Sequence, residues 1–199
     1  MPPLRRADLD PDPIVQFERW FALADETAPL AEAMTLATVD AGGDPDARMV
    51  LLKGVDRRGF RFFTNYESAK AAELAASPRA ALVFYWRDLD RQVRVRGAVE
   101  RLAGAESDEY FASRPRESQL AAWASPQSRP VEPREALDAK FEAVAARFGH
   151  GEVPRPANWG GYLLEPREIE FWQGRVGRLH DRFRYRRDGD SWEIERLGP

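Results

Sequence analysis

Apolar residues recur along this chain with two different periods, and the change of period predicts where helices give way to strands. Between positions 13 and 26, Ile14, Phe17 and Phe21 have the spacing of one face of an amphipathic helix. From position 33 the apolar residues instead alternate with polar ones, or form short runs between turn-forming Gly, Pro and Asp. These runs predict three strands of an antiparallel meander, over 33–40, 46–55 and 60–65.

The same alternation returns in the rest of the chain and is clearest over 91–102, where Val93, Val95 and Val99 share one face. Many short strands with hairpin turns and few helices favour a closed or split antiparallel barrel over a layered parallel sheet. We therefore predict one domain, 1–199, that is mainly β with flanking helices (α+β). The remaining predicted elements are a helix over 67–77, strands over 79–86 and 91–102, a helical region over 105–125 broken at Pro115, a helix over 133–151, and strands over 159–166, 167–174, 181–187 and 191–197.

The composition is that of a globular protein and excludes several classes of site. A hydrophobic fraction of 43% over 199 residues is enough for one core. The net charge of −3 argues against a general polyanion binder, so we expect no nucleic-acid partner. No cysteine is present, which excludes disulfides and thiolate chemistry, and two histidines make a transition-metal site improbable. No apolar leader or run of about 18 apolar residues occurs, so we expect no membrane partner and a cytoplasmic protein.

Arginine dominates the cationic residues, and one segment concentrates it. The chain has 27 Arg but only three Lys, at positions 53, 70 and 140, so the placement of its lysines is informative. Segment 174–188 holds His180 among six arginines. It is a solvated strand face, a nucleic-acid patch, or the lining of an anion site. In a strand, positions 178, 180 and 182 share a face, which would set His180 between two guanidinium groups.

Three further stretches suggest an anion site, although each is also explained as ordinary surface. In RMVLLK, Arg48 and Lys53 point to opposite faces by strict alternation, so a functional interpretation needs a twist or bulge between them. Thr64 at a strand end and Lys70 in the first turns of a helix suit a phosphate weakly. Gln127 and Ser128 lie in a predicted loop and are ambiguous.

The stretch YFASRPRES carries the most specific chemistry of these motifs. Tyr110, Arg114 and Ser118 are spaced at i, i+4 and i+8 and offer two hydroxyls and a guanidinium fork, which suit a phosphate monoester. Because Pro115 starts a new helix, we predict that the three side chains converge around a bend. A charged surface kink is the alternative.

Taken together, these motifs resemble the pyridoxine/pyridoxamine 5′-phosphate oxidase family. The resemblance runs from about Leu4 to Pro199 and rests on the order and spacing of RMVLLK, FFTN, RQVRV, YFASRPRESQ, QS, NWGGY, IEFWQG, RLHDRF and WEIERLGP. It implies an FMN-binding split β-barrel and a homodimer with FMN at the subunit interface. The FMN-binding residues that it implies are Arg48, Met49, Val50, Leu51, Leu52, Lys53, Phe63, Thr64, Lys70, Gln92, Gln127, Ser128, Trp172 and Arg182.

The resemblance also implies the reaction and its substrate site. Pyridoxamine or pyridoxine 5′-phosphate would be oxidised to pyridoxal 5′-phosphate, with dioxygen as acceptor and hydrogen peroxide as product. Arg178 and His180 would be the catalytic residues at the pyridine ring. The substrate-binding residues that it implies are Lys53, Tyr110, Arg114, Ser118, Arg178, Leu179 and His180.

Two alternatives and two departures accompany this hypothesis. The alternatives are another flavin oxidase of the same superfamily, such as a phenazine-pathway type, and a non-catalytic binding module. The family commonly has Arg-Lys where this chain has Ala69-Lys70, which predicts weaker FMN binding. The chain also begins almost at LRRADL, so the resemblance predicts no upstream arm to close over the substrate.

Overall fold

The structure is a computed structural model that describes residues 3–199, within which the chain forms nine strands and five α-helices. The helices are α1 (Pro13–Thr27), α2 (Ala69–Ala76), α3 (Gly104–Ser113), α4 (Arg116–Ala124) and α5 (Arg134–Phe148). The strands are β1 (Ala33–Val39), β2 (Pro45–Leu51), β3 (Gly54–Asp56), β4 (Gly59–Asn65), β5 (Arg79–Trp86), β6 (Arg91–Arg101), β7 (Trp159–Gln173), β8 (Asp181–Asp188) and β9 (Ser191–Leu197).

The strands form one antiparallel sheet that curls on itself. Its main path runs β2-β1-β5-β6-β7-β4-β3, and β8 and β9 continue from β7. Strands β2 and β3 stand at opposite ends of this path, yet only Leu52 and Lys53 separate them in the chain. Two residues span a short distance, so the two edges of the sheet must approach each other. We call this place, residues 51–54, the seam.

The side of the sheet that faces inward carries the main core. Phe17 of α1 is fully buried and packs against Phe60 and Phe84, at ring-centroid distances of 4.9 and 5.0 Å. Helix α1 begins at Pro13 because Asp12 accepts a hydrogen bond from the Ile14 amide at 2.8 Å and proline suits the first helical position. Burying each such aromatic side chain contributes roughly 2–3 kcal/mol, so this packing fixes the barrel.

The segment before α1 is fastened to the end of the chain. The Leu4 amide donates to Asp181 Oδ2 at 3.0 Å, and Arg196 donates to the Leu4 carbonyl at 3.0 Å. The Tyr185 hydroxyl donates to the Asp10 carbonyl at 2.7 Å. The N-terminal segment therefore closes over the β8-β9 hairpin.

The predicted class, mainly β with flanking helices, is confirmed, and three details of the prediction are wrong. The run 46–55 is two strands, because the chain leaves one sheet edge at Leu51 and joins the other at Gly54. The predicted three-stranded meander does not form, because β4 pairs with β7 and not with β2. Strands 159–166 and 167–174 are one continuous strand, β7. Among residues 3–199, no helix is long and apolar enough to cross a membrane.

Candidate functional site

A cavity of about 510 Å³ opens at the seam, between β2, β4 and the bend that joins α3 to α4. It gathers residues that are distant in sequence, and most of them carry cations, hydroxyls or aromatic rings. Its lining includes twelve of the residues singled out from the sequence: Arg48, Met49, Val50, Leu51, Lys53, Phe63, Thr64, Lys70, Tyr110, Arg114, Ser118 and Gln127. Arg48 and Lys53 reach the same cavity because the seam breaks the strand between them.

One cationic group of the cavity contains Arg48, which is held in place by a buried acid. Arg48 Nη2 lies 2.8 Å from Glu73 Oε2 and 2.5 Å from Asp46 Oδ2, and Arg48 also donates to the Thr38 hydroxyl. Thr38 in turn donates to Glu73, which is buried on α2. These contacts fix the guanidinium, and the Arg48 side chain beside Asp46 lowers the pKa of that carboxyl.

Lys70 belongs to the same cationic group and lies one turn of α2 before Glu73. Its Nζ lies 3.2 Å from Gln127 Oε1, which also accepts from the Thr64 hydroxyl at 2.9 Å. Burial of the ammonium, and then the nearby charge of Arg48, lower the pKa of Lys70 from its usual value of 10.5. Two cations are thus held together with little solvent, and a bound anion would relieve their repulsion.

A second cationic group lines the cavity on the α3–α4 bend. Helix α3 ends at Ser113 and α4 begins at Arg116, so Pro115 brings Tyr110, Arg114 and Ser118 around one corner. Burial lowers the pKa of the Arg114 guanidinium and raises the pKa of the Tyr110 hydroxyl, which leaves Tyr110 a proton donor. Arg114 Nη1 is buried and has no hydrogen-bond partner among residues 3–199. A buried donor without a partner is costly, which points to a ligand acceptor.

Aromatic rings line the cavity beside Arg114. Phe63 stacks on Tyr110 with ring centroids 3.9 Å apart and on Trp159 at 5.5 Å, and the Arg114 guanidinium lies over Trp159 at 4.6 Å. Gly161 lies opposite Phe63 in the β4–β7 ladder, and a Cβ there would approach the Phe63 ring to 2.7 Å. Glycine is therefore required for this ring to lie flat against the strand.

Strand β2 adds an apolar edge to the cavity. Met49 and Leu51 are 63% and 40% exposed, which is unusual for large apolar side chains on one short strand. Leu52 differs from its neighbours because its side chain is buried in the main core. Of the six residues 48–53, Leu52 is the one that does not line the cavity.

A second group of the residues singled out from the sequence lies elsewhere, on the outward face of β6, β7 and β8. Gln92 is the ladder partner of Trp172, and Trp172 is the partner of Arg182. Arg182 Nε donates to Glu170 at 2.7 Å, which raises the pKa of the guanidinium, and the His180 ring lies 4.6 Å from Trp172. We call these four residues, Gln92, Trp172, His180 and Arg182, the β6–β8 group. None of them lines the seam cavity.

The predicted strand alternation through 178–182 is wrong. Strand β8 begins at Asp181, and residues 176–178 form a short 3₁₀ turn with Gly177 and Arg178 at φ values of 75° and 62°. His180 precedes the strand, so the three side chains do not form one strand face. Leu179 is 73% exposed, in a loop that projects from the sheet.

His180 nevertheless has a defined orientation. The Arg175 backbone amide donates to His180 Nδ1 at 3.2 Å. In a neutral imidazole the other nitrogen, Nε2, then carries the proton. His180 is therefore oriented to donate a hydrogen bond from Nε2.

One residue predicted from the sequence lies outside the cavity, and three residues at or near the cavity were not predicted. Ser128 is exposed at φ 67° and does not line the cavity, unlike Gln127. Trp159, Ser113 and Glu73 had no assigned role. Glu73 was detectable, because it follows Lys70 by one turn of a predicted helix and side chains at that spacing are neighbours.

Comparisons with known proteins agree with this geometry. The curled sheet and the seam cavity define a split-barrel protein, the fold shared with a pyridoxamine 5′-phosphate oxidase-related, FMN-binding protein from Nostoc punctiforme (TM-score 0.76, 20% identity, covering 94% of this chain and 98% of that one). The model of the pyridoxamine 5′-phosphate oxidase family matches residues 24–148, and that of the pyridoxine 5′-phosphate oxidase C-terminal dimerisation region matches 159–199. The chain belongs to this family of oxidoreductases.

The relatives carry two different names. Pyridoxine/pyridoxamine 5′-phosphate oxidases of Burkholderia mallei and Cupriavidus pinatubonensis are 56% and 58% identical, each over 98% of this chain and 93% of the relative. The crystal structure of PhzG from Burkholderia lata, in complex with tetrahydrophenazine-1-carboxylic acid, is 34% identical with a TM-score of 0.92, over 98% of both chains.

Proposed function

We propose that this chain, as one domain over 1–199, is an FMN-dependent oxidase that converts pyridoxamine and pyridoxine 5′-phosphates to pyridoxal 5′-phosphate. The observation that carries the proposal is the seam cavity, which is lined by two separate cationic groups and by aromatic rings. Two phosphorylated ligands, a flavin mononucleotide and a pyridine phosphate, match the two cationic groups. The identity of 56–58% to oxidases of this name supports the same choice.

The residues present fit FMN. Arg48 and Lys70 would hold its phosphate, because both cations are already fixed at one end of the cavity. The exposed apolar edge of β2, with Met49 and Leu51, would cover the ring system. The further residues proposed to contact FMN are Val50, Leu52, Lys53, Phe63, Thr64, Gln127 and Ser128, with Leu52 contributing through its backbone.

The second cationic group would take the substrate phosphate. Arg114 Nη1 is a buried donor without a partner among residues 3–199, and Lys53, Tyr110 and Ser118 line the same cavity. A phosphate held there leaves the pyridine ring to lie along the cavity. Binding energy from this remote group would position the reacting carbon.

A homodimer would complete the site. The β6–β8 group lies outside the seam cavity of its own chain, and the dimerisation-region match covers three of its four residues, Trp172, His180 and Arg182. We propose that Gln92, Trp172 and Arg182 contact the FMN bound by the partner subunit. Arg178, Leu179 and His180 would meet the substrate ring there, with Arg178 and His180 as the catalytic residues.

The protein's part in the reaction is to orient and to supply charge. FMN held by Arg48 and Lys70 would supply the redox chemistry, which couples removal of a hydride from C4′ of the substrate to reduction of dioxygen to hydrogen peroxide. His180 would donate from Nε2 to a ring substituent, and Arg178 would place a positive charge beside the ring. Both act by positioning and electrostatics.

The test is the visible absorption spectrum of the FMN-loaded protein under anaerobic conditions, before and after addition of pyridoxamine 5′-phosphate. We expect the flavin bands to bleach and to return with air, together with formation of pyridoxal 5′-phosphate. A bound flavin that stays oxidised would contradict the proposed substrate. A protein that binds no flavin would contradict the proposed cofactor.

A phenazine-type oxidase is the second candidate, and the likeness to PhzG favours it. The same anaerobic experiment separates the two. Bleaching by a reduced phenazine carboxylic acid, and none by pyridoxamine 5′-phosphate, would select the second candidate.

FMN affinity should fall at alkaline pH because of Lys70. The pKa of Lys70 is lowered in the free protein, whereas a bound phosphate favours the charged ammonium. Above that lowered pKa, Lys70 must therefore take up a proton when FMN binds. We expect the dissociation constant of FMN to begin to rise at a pH below the usual lysine pKa, by up to about tenfold per pH unit. Fluorescence titrations of FMN between neutral pH and pH 10 would measure this.

Lys70→Arg is the matched control, because a guanidinium stays charged over the same range. Its FMN affinity should depend much less on pH. An equal pH dependence in the wild type and in Lys70→Arg would show that another group titrates.

Replacing His180 with Asn should slow the reaction without stopping it. Loss of one hydrogen bond to the substrate corresponds to about tenfold in kcat/KM, and FMN content should not change. Steady-state kinetics and the flavin-to-protein absorbance ratio would measure both. Complete loss of turnover with intact binding of pyridoxal 5′-phosphate would instead make His180 an obligatory proton acceptor.

A further inference from the structure

A side chamber of about 260 Å³ adjoins the seam cavity at the end that carries Arg114. The two spaces share Lys53, Phe63, Tyr110 and Ser113. The chamber lies between the outward face of β4 and helix α3. None of the roles proposed above uses the residues that line the chamber alone.

Arg61 is the cation that belongs to the chamber alone. It lies two residues before Phe63 on the same face of β4 and lines the side chamber but not the seam cavity. Its ladder partner is Gly54, directly after Lys53. A Cβ at position 54 would lie 2.5 Å from Arg61 Nη2 and 2.8 Å from Nε. Glycine at position 54 therefore leaves the space that the guanidinium occupies.

The hydrogen bonding of Arg61 is incomplete. Its Nε is buried and has no hydrogen-bond partner within the described part of the chain. The nearest carboxylate, Asp56 Oδ2, is 3.9 Å from Nη2, which is beyond hydrogen-bond distance. An arginine kept in a cavity with weak ion pairing retains much of its capacity to bind an anion.

The acidic residues of the chamber reduce this capacity only in part. Glu106 faces the chamber but is bound by Arg58 at 2.7 Å, and that hydrogen bond is the main cause of its lowered pKa. Glu109 is exposed to solvent, where its field is screened. Lys53 Nζ lies 3.9 Å from Glu32 Oε1, beyond hydrogen-bond distance, so Lys53 and Arg61 both supply positive charge to the walls of the chamber.

We propose that the side chamber is an anion subsite anchored by Arg61, whose positive charge acts on the substrate phosphate held in the adjoining seam cavity. The proposal rests on the function proposed above. Arg61 acts as a specificity-determining residue for the doubly charged phosphate and has no role at the reacting carbon. The pair Gly54 and Arg61 builds this subsite, since the small residue makes room for the large one.

The experiment compares FMN-loaded Arg61→Gln with Arg57→Gln, which removes the same charge from an exposed position in the adjacent turn, outside both cavities. Two quantities are measured: the dissociation constant of pyridoxal 5′-phosphate from changes in the flavin spectrum, and kcat and KM for pyridoxamine 5′-phosphate. In Arg61→Gln we expect the dissociation constant and KM to rise about fivefold to twentyfold, with kcat within about twofold of the wild type. Arg57→Gln should match the wild type.

Two further variants keep the proposal testable if Arg61→Gln folds poorly. Arg61→Lys retains the charge and should recover part of the affinity. Gly54→Ala displaces the guanidinium without changing any charge and should weaken binding in the same direction. Equal affinities in Arg61→Gln and Arg57→Gln, or a fall in kcat with unchanged affinity, would overturn the proposal.

The outcome is separable from that of the proposed function. If the wild type binds pyridoxal 5′-phosphate and Arg61→Gln weakens it, the subsite stands even where pyridoxamine 5′-phosphate is not oxidised. If the wild type turns over and Arg61→Gln behaves as Arg57→Gln, the subsite alone is refuted. Inorganic phosphate is then tested as a competitor of pyridoxal 5′-phosphate. Competition that weakens in Arg61→Gln would show that the subsite binds the free ion, and no competition would show that it binds only the phosphate attached to the ring.

Discussion

Replacing Arg114 with Gln is expected to raise KM for pyridoxamine 5′-phosphate by about 10- to 100-fold, the range for loss of charge-assisted hydrogen bonds to a phosphate. Arg114 is half-buried, and its Nη1 has no partner within residues 3–199, so a ligand oxygen is the acceptor that the site lacks. FMN content should stay close to that of the wild type, because the cations proposed to hold the FMN phosphate, Arg48 and Lys70, belong to the other cationic group of the cavity.

Steady-state kinetics and the flavin-to-protein absorbance ratio measure this effect. Arg134→Gln is the control, since Arg134 is an exposed arginine on α5 that forms an ion pair with Asp138 and does not line the cavity, and it should change neither quantity. A loss of FMN equal to the loss of substrate affinity would assign Arg114 to the cofactor instead.

The second large effect is expected for Arg48→Ala, which should weaken FMN binding about 100-fold and lower the free energy of unfolding by about 2–3 kcal/mol. The stability loss follows from Glu73, which is buried and would lose the guanidinium 2.8 Å away. We place it below the usual range for buried ion pairs because Arg48 is partly exposed. Fluorescence titration of FMN and urea denaturation of the apoprotein measure the two effects separately.

Glu73→Gln separates the charge of the buried acid from its positioning of Arg48. It removes one negative charge near the proposed phosphate position and keeps a side chain that can accept from Arg48 and Thr38. FMN should therefore bind at least as tightly as to the wild type. The double variant Arg48→Ala/Glu73→Gln should recover stability but not FMN affinity. An affinity loss in Glu73→Gln as large as in Arg48→Ala would make the ion pair itself the requirement.

The sequence predicted those elements whose signals are local. The break at Pro115 was readable because proline cannot continue a helix, and the bend it produces brings Tyr110, Arg114 and Ser118 together. The alternation of Val93, Val95 and Val99 identified the inward face of β6, where all three are buried.

The errors arose where tertiary structure overrides a local signal. Pro166 appeared to end a strand, but it lies opposite Gly97 at a register shift between β6 and β7, where a strand tolerates proline. The run 46–55 gave no sign of the seam, because a continuous apolar segment looks the same whether it stays in one sheet edge or crosses to the other. At 176–180, Gly177 at positive φ turned the chain away from the predicted strand.

The sequence predicted which residues belong to candidate sites, but not which of them line the same cavity. The sequence could not show that Arg48 and Arg114 line one cavity while Trp172 and Arg182 lie on another face, because that division follows from the curl of the sheet. It could not show the space for Arg61 either, since a glycine opposite an arginine is visible only once the β3–β4 register is known.

The fastening of the N-terminal segment has a consequence for synthesis on the ribosome. Leu4 is held by Asp181 and Arg196, so it waits for partners that are made 177 and 192 residues later. Strand β7 likewise supplies neighbours to β4 and β6 that were made about a hundred and about seventy residues earlier. Contacts this far apart in sequence slow folding. A nascent chain stalled before β7 would therefore leave sheet edges unpaired, so β7 must be made before this barrel can reach its native form.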